Sequence, residues 1–215
     1  MHAEPRSPRA TIIMTARERH ALTEVSLESI VANTKCPYRL IYADVQSPDW
    51  LRGRLEKRSK EWNLEVVRLD DGLWPNQVRR RLAGLIDTDY VAYIDNDVVV
   101  EKGWLEALMA CADETGAGVV GPLYLWGDGK RPPKIHMAGG KLTELRTDQG
   151  TVLEETHQLV NEDPVKAAHK LIRQPCDFAE YHCMLIRTEL VRDGELFDQE
   201  ILCAHEHIDT SLTAR

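Results

Sequence analysis

The run Tyr90-Val91-Ala92-Tyr93-Ile94 is apolar without a break and ends in Asp95-Asn96-Asp97, before Val98-Val99-Val100. A strand buried on both faces of a sheet reads as such a continuous run. Two carboxylates at its end are costly unless something positive meets them. In open α/β sheets, ligands sit beyond the carboxyl ends of the strands. A divalent cation carrying phosphates fits there, because hard cations take oxygen ligands. The alternative is a polar turn that closes the strand, with Asn96 in a left-handed conformation. The run alone leaves both readings open.

The surrounding pattern points to an α/β sheet. Thr11–Thr15, Tyr38–Ala43 and Leu64–Leu69 read as strands. Between them, Glu18 to about Asn33, Asp49–Trp62 and Pro75 to about Ile86 read as helices, two of them with a proline at or just before the start. Strands alternating with helices make a mostly parallel sheet with helices on both faces the expected architecture. Further on, Gly103 to about Thr115 is a helix, Val119–Leu125 a strand and Ile135–Gly140 a short strand and turn. Residues 116–121 match GxGxxG, but they follow a helix and open a strand, the reverse of a dinucleotide fingerprint. Their glycines read as a helix C-cap and turn. Trp126–Pro133 is a turn-rich loop whose Trp126 either offers a stacking face to a ligand or anchors the core. The segment 141–174 is polar and reads as a loop or small excursion, with Pro164 opening a short helix through Leu171. Met184-Leu185-Ile186 is a strand, Thr188 caps a short helix, and His205–Leu212 enters the last helix.

Composition narrows the function classes. The 215 residues carry a formal net charge of −8, which argues against non-specific nucleic-acid binding. Five scattered cysteines without a CxxC pair are neither a zinc framework nor a disulfide scaffold, and they suggest thiols in a reducing, cytoplasmic compartment. No run approaches the roughly 18 apolar residues of a membrane span. Residues 1–10 read as a flexible leader without a signal peptide, and 11–215 as one domain. The chain stops soon after a helix begins, as a fragment of a longer protein would.

Seven segments, taken in order, resemble an inverting family 2 glycosyltransferase of the GT-A fold. Thr11–Thr15 is similar to the family's opening strand, and Asp44-Val45-Gln46-Ser47 to its "DNGS" turn. Gln77-Val78-Arg79-Arg80 is similar to "AARN", and Asp95-Asn96-Asp97 to the DXD motif. His136-Met137-Ala138-Gly139-Gly140 resembles "HHAGG". Cys183–Arg187 with Leu196-Phe197-Asp198 resembles "CMLIRR…GGFDE", and Glu206–Leu212 resembles "EDVDLSL". The last match departs from the family: His207 stands where the family carries the Asp that is commonly its catalytic base.

The resemblance implies a metal-dependent transfer of a sugar from a nucleotide-diphosphate donor, a UDP-sugar first among them, to a glycan or other hydroxyl acceptor. Mn2+ or Mg2+ would neutralise the departing diphosphate. Asp97 would ligate the ion, with Asp95 contacting it through water or holding the ribose. His207 could be a further ligand, and imidazole favours Mn2+ over Mg2+. Thr15, Arg17 and Asp44 would line the nucleotide pocket, and Arg79 would hold phosphate bidentately. The neighbouring Arg80 and Arg81 fan out around the helix, so Arg81 reads as solvated. Glu206 is the first candidate for the base, His207 the second, and Asp209 a helix-start or acceptor residue. Acids at a helix start are favoured electrostatically even without a catalytic part. The resemblance divides 11–215 into a nucleotide-binding half (11–100) and an acceptor-binding half (101–215); His136, Glu180 and His182 fall in the latter, where each could equally be structural. A sugar-1-phosphate nucleotidylyltransferase is the alternative enzyme, disfavoured because Thr15–Arg19 holds no glycine. A nucleotide-sugar-binding domain without turnover is the non-enzymatic alternative.

Overall fold

Strict alternation in three strands builds the core. In β1 (Ala10–Thr15), Ile12 and Met14 pack on one face and Ile13 on the other. β2 (Tyr38–Asp44) divides Leu40 and Tyr42 from Ile41 and Ala43. β4 (Tyr90–Asp95) divides Tyr90, Ala92 and Ile94 from Val91 and Tyr93. None of these side chains is more than 2% exposed. Each large one stabilises the fold by about 1.5–3 kcal/mol on burial. The computed structural model describes residues 7–16, 18–69, 72–127, 129–202 and 204–215.

The six-stranded sheet also contains β3 (Leu64–Arg68), β5 (Val119–Val120) and β10 (Cys183–Arg187), in the order β3-β2-β1-β4-β10-β5. The first four strands are parallel, and β10 runs antiparallel to both β4 and β5. One face carries α1 (Thr23–Asn33), α2 (Asp49–Trp62) and α4 (Trp104–Thr115), through Leu27, Leu51, Leu55 and Leu105. The other carries α3 (Pro75–Leu82) and α5 (Thr188–Val191), through Val78, Leu82 and Val191. The expected mostly parallel sheet with helices on both faces is therefore present.

α3 starts where its sequence says it should. Pro75 is the first helical residue, and the Trp74 N–H donates to Gln77 Oε1 at 3.0 Å. Gly103 and Gly116 bracket α4 at φ 78° and 73°, so the C-cap reading of Gly116 holds.

Several expectations need correction. Val119–Leu125 is not one strand but β5 and, in a separate two-stranded sheet, β6 (Tyr124–Trp126), which pairs with β7 (Lys134–Met137). Pro122, lacking an N–H, lies between them. Trp126 is half exposed on β6 and anchors no core. The excursion is a long antiparallel hairpin, β8 (Gly140–Thr147) and β9 (Gly150–His157). Thr188 lies inside α5 and makes no cap bond, and the helix expected from Pro164 is a single 3-10 turn, Ala168–Lys170.

The first six residues of the expected leader, the Asp70-Asp71 turn and Cys203 lie outside the described residues. Cys36, Cys111, Cys176 and Cys183 are free thiols. Among the described residues no helix is long and apolar enough to cross a membrane.

Candidate active site

A cavity of about 360 Å³ opens beyond the carboxyl ends of the parallel strands. Thr15 and Ala16 reach it from the end of β1, and Val45 and Gln46 from the end of β2. Asp95 reaches it from β4, Val78 and Arg79 from α3, and Glu180, Tyr181 and His182 from the approach to β10. α6 (Glu206–Thr213) completes the wall with Glu206 and His207. The register sets Thr15 beside both Ala43 and Asp95, so the ends of three strands form one layer.

Arg79 is buried, and its guanidinium stacks 3.3 Å from the Tyr181 ring centroid. Its Nη1 donates to Asn76 Oδ1 at 2.9 Å and lies 3.9 Å from Glu206 Oε1. Its Nε and Glu206 Oε2 are buried without a protein hydrogen-bond partner. Asn76 is fixed in turn by donating to the Asp198 carbonyl. A guanidinium is thus held rigidly in the wall of a cavity, which suits an anionic ligand.

The three residues of the acidic motif go separate ways. Asp95 Oδ2 lies 2.8 Å from His182 Nδ1. Asn96 is buried and ties β4 to the start of α1, donating to the Glu18 carbonyl and to Thr23 Oγ1. Asp97 accepts from the exposed Arg19 at 2.9 Å. Asp44 is 1% exposed, with Oδ1 accepting the Ser47 N–H and Oδ2 accepting Arg52 Nε, and it does not line the cavity. Arg17 lies outside the described residues. Arg81 is exposed, and Arg80 pairs with Glu195.

Five of the eight histidines converge beside Asp95, around two glutamates. His136 Nε2 is 2.8 Å from Glu180 Oε2, and His157 Nε2 is 3.5 Å from Glu180 Oε1. Glu155 lies 3.2 Å from His157, 3.6 Å from His205 and 3.7 Å from His207. His207 is therefore grouped with Glu155 and Glu180, not with Asp95 and Asp97. Its Nε2 has no hydrogen-bond partner, and burial, partly offset by the Glu155 carboxylate, lowers its pKa from 6.5. His182 shifts the other way, because its bond to Asp95 outweighs burial. Asp209 does not line the cavity, and burial raises its carboxyl above the ordinary value.

Sequence reasoning missed Glu155, His157, Tyr124 and Phe178. Glu155 and His157 sit at the end of a hairpin that the sequence did not reveal. The Tyr124 hydroxyl accepts the Glu180 N–H at 3.1 Å and lies 2.8 Å from the Cys183 carbonyl, fixing the turn into β10. The buried Phe178 ring packs against His157 and His207. A Cβ on Gly140 would collide with that ring. Gly140→Ala is therefore expected to destabilise the fold by about 1–3 kcal/mol, the usual cost of overpacking. Denaturant unfolding checks this, and an unchanged midpoint would show that the ring has room to yield.

A largely parallel sheet, a reversed strand beside its central member and a polar cavity at the strand ends place this chain in the GT-A class of α/β folds. The chain belongs to glycosyl transferase family 2, whose family model matches residues 11–194. Sequence comparison with curated proteins gives no match. Among solved structures, S. aureus TarS 1–349 in complex with UDP-GlcNAc superposes with a TM-score of 0.62 at 18% identity, over 96% of this chain and 53% of that one. GalNAc-T7 with UDP, GalNAc and Mn2+ superposes with a TM-score of 0.69 at 16% identity, over 95% of this chain and 39% of that one. This chain thus spans about half the length, or less, of these similar structures.

Proposed function

We propose that this chain transfers a sugar from a nucleotide-diphosphate donor, a UDP-sugar first among them, to an acceptor hydroxyl with inversion. The observation that carries the reading is the buried Arg79, held beside Glu206 in the cavity that Asp95 also enters. The donor's nucleotide lies along Thr15 and the ends of β1 and β2. Its diphosphate faces Arg79.

Asp95 and Asp97 offer the oxygen donors that Mn2+ or Mg2+ requires. The present partner of Asp97, Arg19, is two-thirds exposed and free to swing aside. Held by these two carboxylates, such an ion would supply neutralisation of the leaving diphosphate. His207 is the base: its unpartnered Nε2 belongs to an imidazole that burial keeps neutral, ready to take the acceptor proton. Glu206, drawn toward Arg79, holds charge in the wall, and Asp209 supports the start of α6. Asp44 acts indirectly, by shaping the turn that presents Val45 and Gln46. The four free thiols suit a reducing compartment such as the cytoplasm.

A panel of nucleotide sugars with Mn2+, read by calorimetric binding and by donor hydrolysis, tests this proposal. One donor should bind, and Asp97→Ala should lower turnover by about 10²–10³-fold, the scale of losing one preorganised charge contact. If no donor binds, or if Asp97→Ala equals wild type, the proposal fails. Tight binding without transfer or hydrolysis would instead mark a nucleotide-sugar-binding domain.

A further inference from the structure

We propose that His136, Glu180 and His182 form a binding site for a transition-metal dication of the zinc class, separate from the Asp95–Asp97 pair. The three side chains each offer a ligand atom, all within 4.8 Å of one another. His136 comes from β7, whereas Glu180 and His182 come from the approach to β10. Both imidazoles turn Nε2 toward a single carboxylate oxygen: His136 lies 2.8 Å from Glu180 Oε2 and His182 lies 3.6 Å from it.

His182 is already oriented as a metal ligand is. Its Nδ1 lies 2.8 Å from Asp95 Oδ2. Ligating histidines give their second ring N–H to a carboxylate, which fixes the tautomer and leaves the other nitrogen free for the metal. The backbone of Glu180 is equally fixed, since its N–H donates to the Tyr124 hydroxyl. A second group, Glu155, Glu180 and His207, shares Glu180. It lacks this feature, because the carboxylate that the His207 Nε2 faces, Glu155 at 3.7 Å, is itself one of the three candidate ligands rather than a partner behind the ring. The first group is therefore the site.

Two imidazoles and one carboxylate suit Zn2+ or Co2+, whereas Mg2+ prefers oxygen ligands throughout. Three protein ligands leave a coordination position open. Glu180 and His182 both line the cavity, so an ion held by the three side chains would lie at its wall. The inference stands on these residues and does not need the donor reading.

Co2+ titration of the chelator-treated chain, without nucleotide, tests it through the visible absorption of bound cobalt. One Co2+ per chain should show the bands of imidazole coordination, and Zn2+ but not Mg2+ should displace that ion. His136→Ala and Glu180→Gln should each abolish the bands. Asp95→Asn should weaken binding by about tenfold or more, the effect of losing a carboxylate behind a ligating histidine. Asp97→Asn should leave binding unchanged. Circular dichroism on each variant separates lost binding from lost folding, and His182→Asn serves if His136→Ala fails to fold. The proposal is overturned if folded wild type shows no such bands, if Asp97→Asn removes them, or if His207→Ala removes them while His182→Asn does not. UDP binding measured on the same samples reports on the donor reading separately.

Discussion

Arg79→Ala is expected to lower stability by about 3–5 kcal/mol, the usual loss when one member of a buried ion pair is removed. Three contacts vanish together. The guanidinium stacks on Tyr181, donates to Asn76 and faces Glu206 at 3.9 Å. The Glu206 carboxylate then stays buried with no cation beside it and with Oε2 still unpartnered. At about 2–4 °C per kcal/mol for a chain of this size, the midpoint should fall by about 6–20 °C. Arg79→Lys should fall between the two, since it restores the charge but not the planar fork or the stacking. Calorimetric melting of the three proteins decides the matter. If Arg79→Ala melts within about 2 °C of wild type, the pair does not hold the cavity wall in place. In the donor-binding reading, the same substitution also removes nucleotide affinity, which the Lys variant should partly restore.

His207→Ala is expected to lower kcat by about 10²–10⁴-fold while leaving the donor KM nearly unchanged, as loss of a general base does. The pH profile sharpens this prediction. A base must be unprotonated to act, so activity should be full above the pKa of His207 and fall as the pH drops through it. Burial moves that pKa below 6.5, so the acid limb should lie on the acid side of an ordinary histidine. In His207→Ala that limb should vanish along with most of the rate. Steady-state kinetics across pH on the two proteins is the measurement. An acid limb that survives the substitution would move the role of base to Glu206.

The half of the fold with the strongest periodicity was the most legible. β1, β2 and β4 alternate between two buried faces, and α2 falls at Asp49–Trp62 as its pattern indicates. Thr15 and Asp95 meet in one cavity because they end β1 and β4, and Arg79 from within α3 and Glu206 and His207 from the start of α6 close its wall. The hairpin of β8 and β9 was not legible, because most of its residues are exposed and neither face carries a core-like apolar stripe. Without it, nothing placed Glu155 and His157 near Glu180. Asp44 illustrates another limit. Its place after a strand was readable, but its capture by Ser47 and Arg52 depends on the local turn and on α2 together.

The reversal of β10 has a consequence for how such a chain can diversify. Cys183 pairs with Ile94, and the next rung joins the Asp95 N–H to the His182 carbonyl. The sheet itself therefore fixes the spacing of Asp95 and His182, whatever the length of chain that joins them. The tip of the β8–β9 hairpin, residues 147–150, is exposed and lies in a separate sheet, so it can lengthen, shorten or be exchanged without disturbing that rung. One part of the molecule is thus free to track changing partners while the other keeps its chemistry constant.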